Sequence, residues 1–249
     1  MTGFLKNNLV IFILLILIFV TTNVWSKNIN TELVSAADKS NFALVKKILD
    51  TEKIEQDELN AAFLVAISKG NAAIVERFIQ AGVDVDLRAD NSYTPLMQSA
   101  RDGRDQVVEM LLATGTDVNA VSTENDTALM LAAEKDRRNV IALLVAANAD
   151  INAKRNDGMT ALLLAAQGGY QQTIQALINA KADVNYRLEN GATALMLAAQ
   201  HGHLGAVHSL IAANADLNVK ASNGATALQL ANHYRYREVI ELLRKAGAR

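Results

Sequence analysis

The chain has 249 residues, 51% of them apolar and 20% charged, with a formal net charge of −2. That near-balance excludes a generally polyanion-binding protein, so neither nucleic acid nor an anionic membrane surface is an expected partner. Cysteine is absent, which rules out disulfides, thiolate zinc sites and cysteine nucleophiles.

The N-terminus differs from everything after it. Residues 9–20, LVIFILLILIFV, form an uninterrupted apolar run behind Lys6 and ahead of Thr21, Thr22 and Asn23. A spanning helix takes roughly 20 residues, and this run is shorter. Val24 and Ser26 stand at the small-residue positions of a cleavage site, so residues 1–26 read as a removable secretory signal. The alternative is a signal anchor over residues 9–25, since Val24 and Trp25 lengthen the span. Either way residues 27–249 are expected outside the cytoplasm, in the periplasm if the source is a Gram-negative bacterium.

From about residue 31 the chain repeats itself. TALMLAA at 127–133 returns at 193–199, with TALLLAA between them at 160–166. The opening threonines Thr94, Thr127, Thr160, Thr193 and Thr226 are each 33 residues apart, and looser units open near 31 and 61. A fixed period of this size signals stacked supersecondary units.

One unit, residues 90–119, shows the plan. Asp90-Asn91-Ser92 supplies a turn, as do Asp157-Gly158, Asn190-Gly191 and Asn223-Gly224 at equivalent places. Thr94 suits a helix N-cap and Pro95 the first helical position. A short helix runs to about Arg101 and breaks at Gly103. A second helix buries Val107, Val108, Leu111 and Leu112. Gly115 then leaves with positive φ, as Gly82, Asn148, Asn214 and Gly247 do; Lys181 is the costly exception. TDVN, ADIN, ADVN and ADLN lead to the next turn.

This turn-helix-helix-loop unit resembles the ankyrin repeat. The Thr-Pro/Ala-Leu opening, the pairs Ala132-Ala133, Ala165-Ala166 and Ala198-Ala199, the glycines at 70, 103, 169 and 202, and the Ala-Asp-Val-Asn exit all match in register over about residues 31–249. The resemblance implies an all-α ankyrin-repeat solenoid of about seven helix-turn-helix units, with no separate catalytic domain. Two departures stand out. The family's histidine after Thr-Pro-Leu is Met97, Met130, Leu163 or Met196, so an apolar contact between repeats is expected there. Asp136 and Arg235 replace the glycine between the helices, and weak boundaries are expected at Asp136 and Lys181. Polar Gln229, Asn232 and Arg244 mark the last unit as a cap.

Few residues suggest chemistry. The methionine row reads as core, because single side chains one repeat apart cannot share a metal ion. Asp84, Asp117, Asp150, Asp183 and Asp216 are one loop position repeated, not a catalytic pair. His201, His203 and His233 offer an alternative: a haem- or metal-handling accessory protein. No phosphate loop, nucleophile elbow or HExxH stretch occurs. A non-enzymatic scaffold without a cofactor is the expected reading.

The resemblance implies a binding surface on the concave side, built from turn tips and first-helix ends. By register these are Asp90, Asn91, Tyr93, Arg101 and Asp102 in the third unit, and Glu124, Asp126, Glu134 and Lys135 in the fourth. Asn156, Asp157, Met159 and Gln167 follow in the fifth, Glu189, Asn190, Gln200 and His201 in the sixth, Asn223, His233 and Tyr234 in the seventh. Acids outnumber bases here, so a monomer gripping a protein partner by its basic face is expected, with Tyr93 and Tyr234 as anchors. Solvation is the plainer reading of the same charges. Similar exported bacterial ankyrin proteins are linked to catalase and peroxide resistance, which makes such an enzyme one partner the resemblance implies.

Overall fold

The computed structural model describes residues 32–89 and 92–249; the expected signal over 1–26 lies outside them. Among the described residues every regular element is α-helical, and no helix is long and apolar enough to cross a membrane. The chain divides into two compact units, one ending at Asp84 and the other Val85–Arg249.

The first unit holds α1 (residues 32–38), α2 (Phe42–Thr51), α3 (Gln56–Lys69) and α4 (Ala72–Gln80). Asn41 and Asn71 cap α2 and α4, each accepting from the third helical N–H at 3.2 Å. Its core centres on Phe63 and Phe78, fully buried with their rings edge to face at 6.1 Å. One expectation needs correcting: register opens this unit's second helix pair near Ala61, but α3 starts at Gln56. Ala61 has no side chain to stop a helix, so the helix runs through it and reaches 14 residues.

The second unit holds five helix pairs. They are α5 (Pro95–Asp102) with α6 (Asp105–Ala113), α7 (Ala128–Glu134) with α8 (Arg138–Ala146), and α9 (Ala161–Gly168) with α10 (Gln171–Asn179). α11 (Ala194–Gln200) with α12 (Leu204–Ala212), and α13 (Ala227–Tyr234) with α14 (Arg237–Lys245), complete it. α5, α7, α9, α11 and α13 pack in one row, the partner helices in a second. A helix of two turns does not persist alone. Each first helix is held by its threonine cap, whose hydroxyl accepts from the third N–H at 3.3–3.4 Å. Burial does the rest: every residue from Ala128 to Ala133 is buried, which alanine permits by letting neighbouring helices approach. Met97, Met130, Leu163 and Met196 are all within 2% of full burial, so an apolar contact does occupy the histidine position.

The recurrent Asp-x-Asn loop has a structural job. Asp117, Asp150, Asp183 and Asp216 each accept from the N–H two residues on at 3.0 Å, which fixes the loop. The asparagine so placed (Asn119, Asn152 or Asn185) accepts from the N–H of the next repeat's aspartate at 2.8–2.9 Å. Successive repeats are thereby stapled at their loops. Lys181 takes the expected positive φ of 72°. Asp136, the other position expected to be weak, takes φ 53° and gains a partner that register does not show. Its carboxylate accepts from the fully buried Thr173 hydroxyl at 2.7 Å, tying the turn between α7 and α8 to α10. Gln229, Asn232 and Arg244 are exposed, and the capping box of Thr226 with Gln229 closes the start of α13.

Candidate functional site

The turn tips of the second unit form a row. Glu124, Asp157, Asn190 and Asn223 occupy one register position, and all four are exposed. At the last three the side-chain Oδ1 accepts from the N–H two residues on at 3.0 Å, so one local bond fixes carboxylates and amides alike. Neighbouring tips join directly: Asn156 N–H donates to the Glu124 carbonyl at 3.0 Å, and Ser222 N–H to the Asn190 carbonyl at 2.8 Å.

Behind the tips of the third to fifth repeats lies a charged network. Asp126 is buried, 6% exposed, and its Oδ2 accepts from the hydroxyls of Tyr93 and Ser122, both at 3.3 Å. The Arg155 guanidinium lies 3.7 Å from Asp126 and forks onto Asp157 with bonds of 3.0 and 2.6 Å. Burial, reinforced by Asp126, raises the Tyr93 phenol above its ordinary pKa. The fork onto Arg155 lowers the Asp157 carboxyl and raises the guanidinium. Arg101 sits 5.7 Å over the Tyr93 ring and pairs with Asp102 at 3.3 Å; Lys135 pairs with Glu134 at 3.0 Å. A cavity of about 410 Å³ opens among Glu134, Lys135, Arg155, Leu164, Gln167 and Tyr170.

The sixth and seventh repeats carry aromatic and neutral groups instead. His203 lies over Gly169, its Nε2 3.0 Å from the Gln167 carbonyl, and its ring is nearly parallel to that of His201 at 5.8 Å. His201 spends Nδ1 on the Leu197 carbonyl at 2.9 Å. Tyr236 covers Gly202 and stacks on Tyr234 at 6.2 Å, while His233 meets Tyr234 edge-on at 4.8 Å. Among the described residues no three histidine or acidic side chains are grouped to hold a metal. A second cavity of about 240 Å³ is floored by Met196, Leu197 and Leu230 and rimmed by Asn190, Gln200 and Asn223. It has no charged lining.

Of the residues read from the sequence, Glu124, Lys135, Asp157, Glu189, His201, His233 and Tyr234 are exposed; Tyr93, Arg101, Asp102 and Glu134 are half-buried. Asp90 and Asn91 lie outside the described residues. Two placements are corrected. Asp126 and Met159, each just before the threonine cap of a first helix, are buried, 6% and 7% exposed, whereas Tyr93, Ala192 and Ala225 at the same register position are half-buried. Asp126 therefore supports the face from beneath and offers a partner no free surface. Arg155 and Ser122 were not legible as site residues. The one available signal was Arg155 itself, a charge where the equivalent positions hold Ser122, Leu188 and Ala221.

Comparison with protein families matches the model described as ankyrin repeats (3 copies) to residues 33–122, 112–188 and 174–249. Among solved structures, the chain is similar to an ankyrin repeat domain from Acinetobacter baumannii. The two superpose with a TM-score of 0.69 at 29% identity, over 75% of this chain and 98% of that one. Comparison with curated proteins gives no match.

Proposed function

Since the chain belongs to the ankyrin-repeat family, whose arrays serve as protein-interaction scaffolds, we propose that it is an exported, non-enzymatic scaffold that holds a protein partner on its row of turn tips and first-helix ends. The observation that carries this reading is the tip row. Side chains of different chemistry stand at one register position on one backbone geometry, with a charged cavity behind one part and an apolar cavity beside the other. A partner suited to it has a basic patch facing Glu124, Glu134 and Glu189, and an apolar side chain for the cup around Leu197 and Leu230. Catalase remains a partner suggested by resemblance.

Cross-linking in the native compartment followed by mass spectrometry identifies the partner. Replacing Glu124, Glu134 and Glu189 by lysine should then weaken its binding at least tenfold without altering the circular dichroism. The loss should shrink as salt rises. Normal binding by that variant, with loss on changing exposed residues of α8 and α10, would sink the proposal. The haem-handling alternative makes a separate forecast: a Soret shift on titration with haem, abolished in His201→Ala and His233→Ala.

A further inference from the structure

Two of the four tips are Asn-Gly, and their geometry favours a reaction. We propose that Asn190 and Asn223 deamidate spontaneously in the folded protein, turning neutral tips into carboxylates and extending the acidic row begun by Glu124 and Asp157. The reading does not depend on what the row binds.

The chemistry needs only water. The backbone nitrogen of Gly191 or Gly224 attacks the asparagine Cγ, losing its proton, and the side-chain nitrogen leaves as ammonia. Water then opens the cyclic imide to aspartate or isoaspartate. No electrons are exchanged. Three features promote the reaction, two in the attack and one in the opening of the imide. The attacking residue has no side chain, so nothing crowds the nitrogen. At Gly191 the fold itself enforces this: φ is 77°, and a Cβ would stand 3.0 Å from the Ala221 Cα. Each Oδ1 accepts from the N–H of Ala192 or Ala225 at 3.0 Å, which polarises the carbonyl under attack and folds the side chain back along the main chain. Both asparagines are exposed, so water reaches the imide.

The product fits. Asp157 already makes the same bond, at the same 3.0 Å, ahead of Gly158 at φ 81°. Complete conversion adds two negative charges to a chain whose formal net charge is −2.

The structure also ranks the sites. Gly191 and Gly224 each donate their N–H to the carbonyl three residues before the asparagine's successor, at 2.8 Å, and attack must break that bond. Asn190 is restrained further, because its carbonyl accepts from Ser222 N–H at 2.8 Å; among the described residues Asn223 receives no equivalent bond. Asn223 therefore reacts first.

The test is to hold the full chain folded at mildly alkaline pH and map peptides by mass over several weeks. Asn148 and Asn214 are internal standards, since both are exposed with positive φ but precede alanine. Asn223 should convert several-fold faster than Asn190, and both well ahead of the standards. Asn190→Gln and Asn223→Gln should remove the corresponding acidic species on isoelectric focusing. Asn223→Asp should keep the parent melting temperature. If both tips stay intact while the same chain in urea converts, or if the standards convert equally fast, the proposal is wrong.

Discussion

The third to fifth repeats and the sixth to seventh share a backbone and differ in chemistry. Asp157, Asn190 and Asn223 hold their turns with the same bond at 3.0 Å, and Thr127, Thr160, Thr193 and Thr226 cap their helices alike. Yet one half sets Tyr93, Asp126, Arg155 and Asp157 into a connected charged network, while the other presents histidine, tyrosine and amides over an apolar cup. The scaffold is written at one set of register positions and the face at another, so each can change without the other. The exception is Asp126, a face-like residue buried in the scaffold.

That exception gives the largest expected effect. Asp126→Ala strips the half-buried Tyr93 hydroxyl and the buried Ser122 hydroxyl of their acceptor and removes the Asp126 charge beside Arg155. It should cost about 3 kcal/mol in urea unfolding. Glu124→Ala and Glu189→Ala, at exposed positions, should stay within about 0.5 kcal/mol. An Asp126 variant as stable as these would mean that the charged half is merely surface.

The next pair sharpens the distinction between strain and compensation. Lys181 and Asp136 both carry positive φ where glycine is usual, at 72° and 53°. Lys181→Gly relieves the strain and should stabilise by about 1 kcal/mol. Asp136→Gly relieves similar strain but orphans the buried Thr173 hydroxyl, so it should destabilise by about 1 kcal/mol. Melting temperatures that move in the same direction for both would contradict the tie between the α7–α8 turn and α10.

The smallest effect is in pH. The Asp157 carboxyl lies below its unfolded pKa because Arg155 binds it, so its contribution is present above the usual carboxylate range and fades as pH falls through the lowered folded value. Asp157→Asn should lose slightly less stability than the parent between neutral pH and about pH 3. No shared change is expected for Asn190→Asp or Asn223→Asp, because Arg155 has a counterpart at neither tip: its register positions there are Leu188 and Ala221. Equal pH curves for parent and Asp157→Asn would show that the fork contributes nothing.

What the sequence by itself determined was everything written at the repeat period. Caps, turn residues, positive-φ positions, buried methionines and the polar last unit all follow from local backbone needs that recur every 33 residues. What only the tertiary structure decided lies across repeats. Asp126 reads as an exposed acid until the Tyr93 and Ser122 hydroxyls close over it, and Asp136 reads as a defect until Thr173 reaches it from the next repeat. The start of α3 at Gln56 was equally hidden, because no cap marks it in register. Periodicity records which residues a unit needs to fold. It does not record which departures from the period find one another in space, since that depends on side-chain reach between neighbouring repeats.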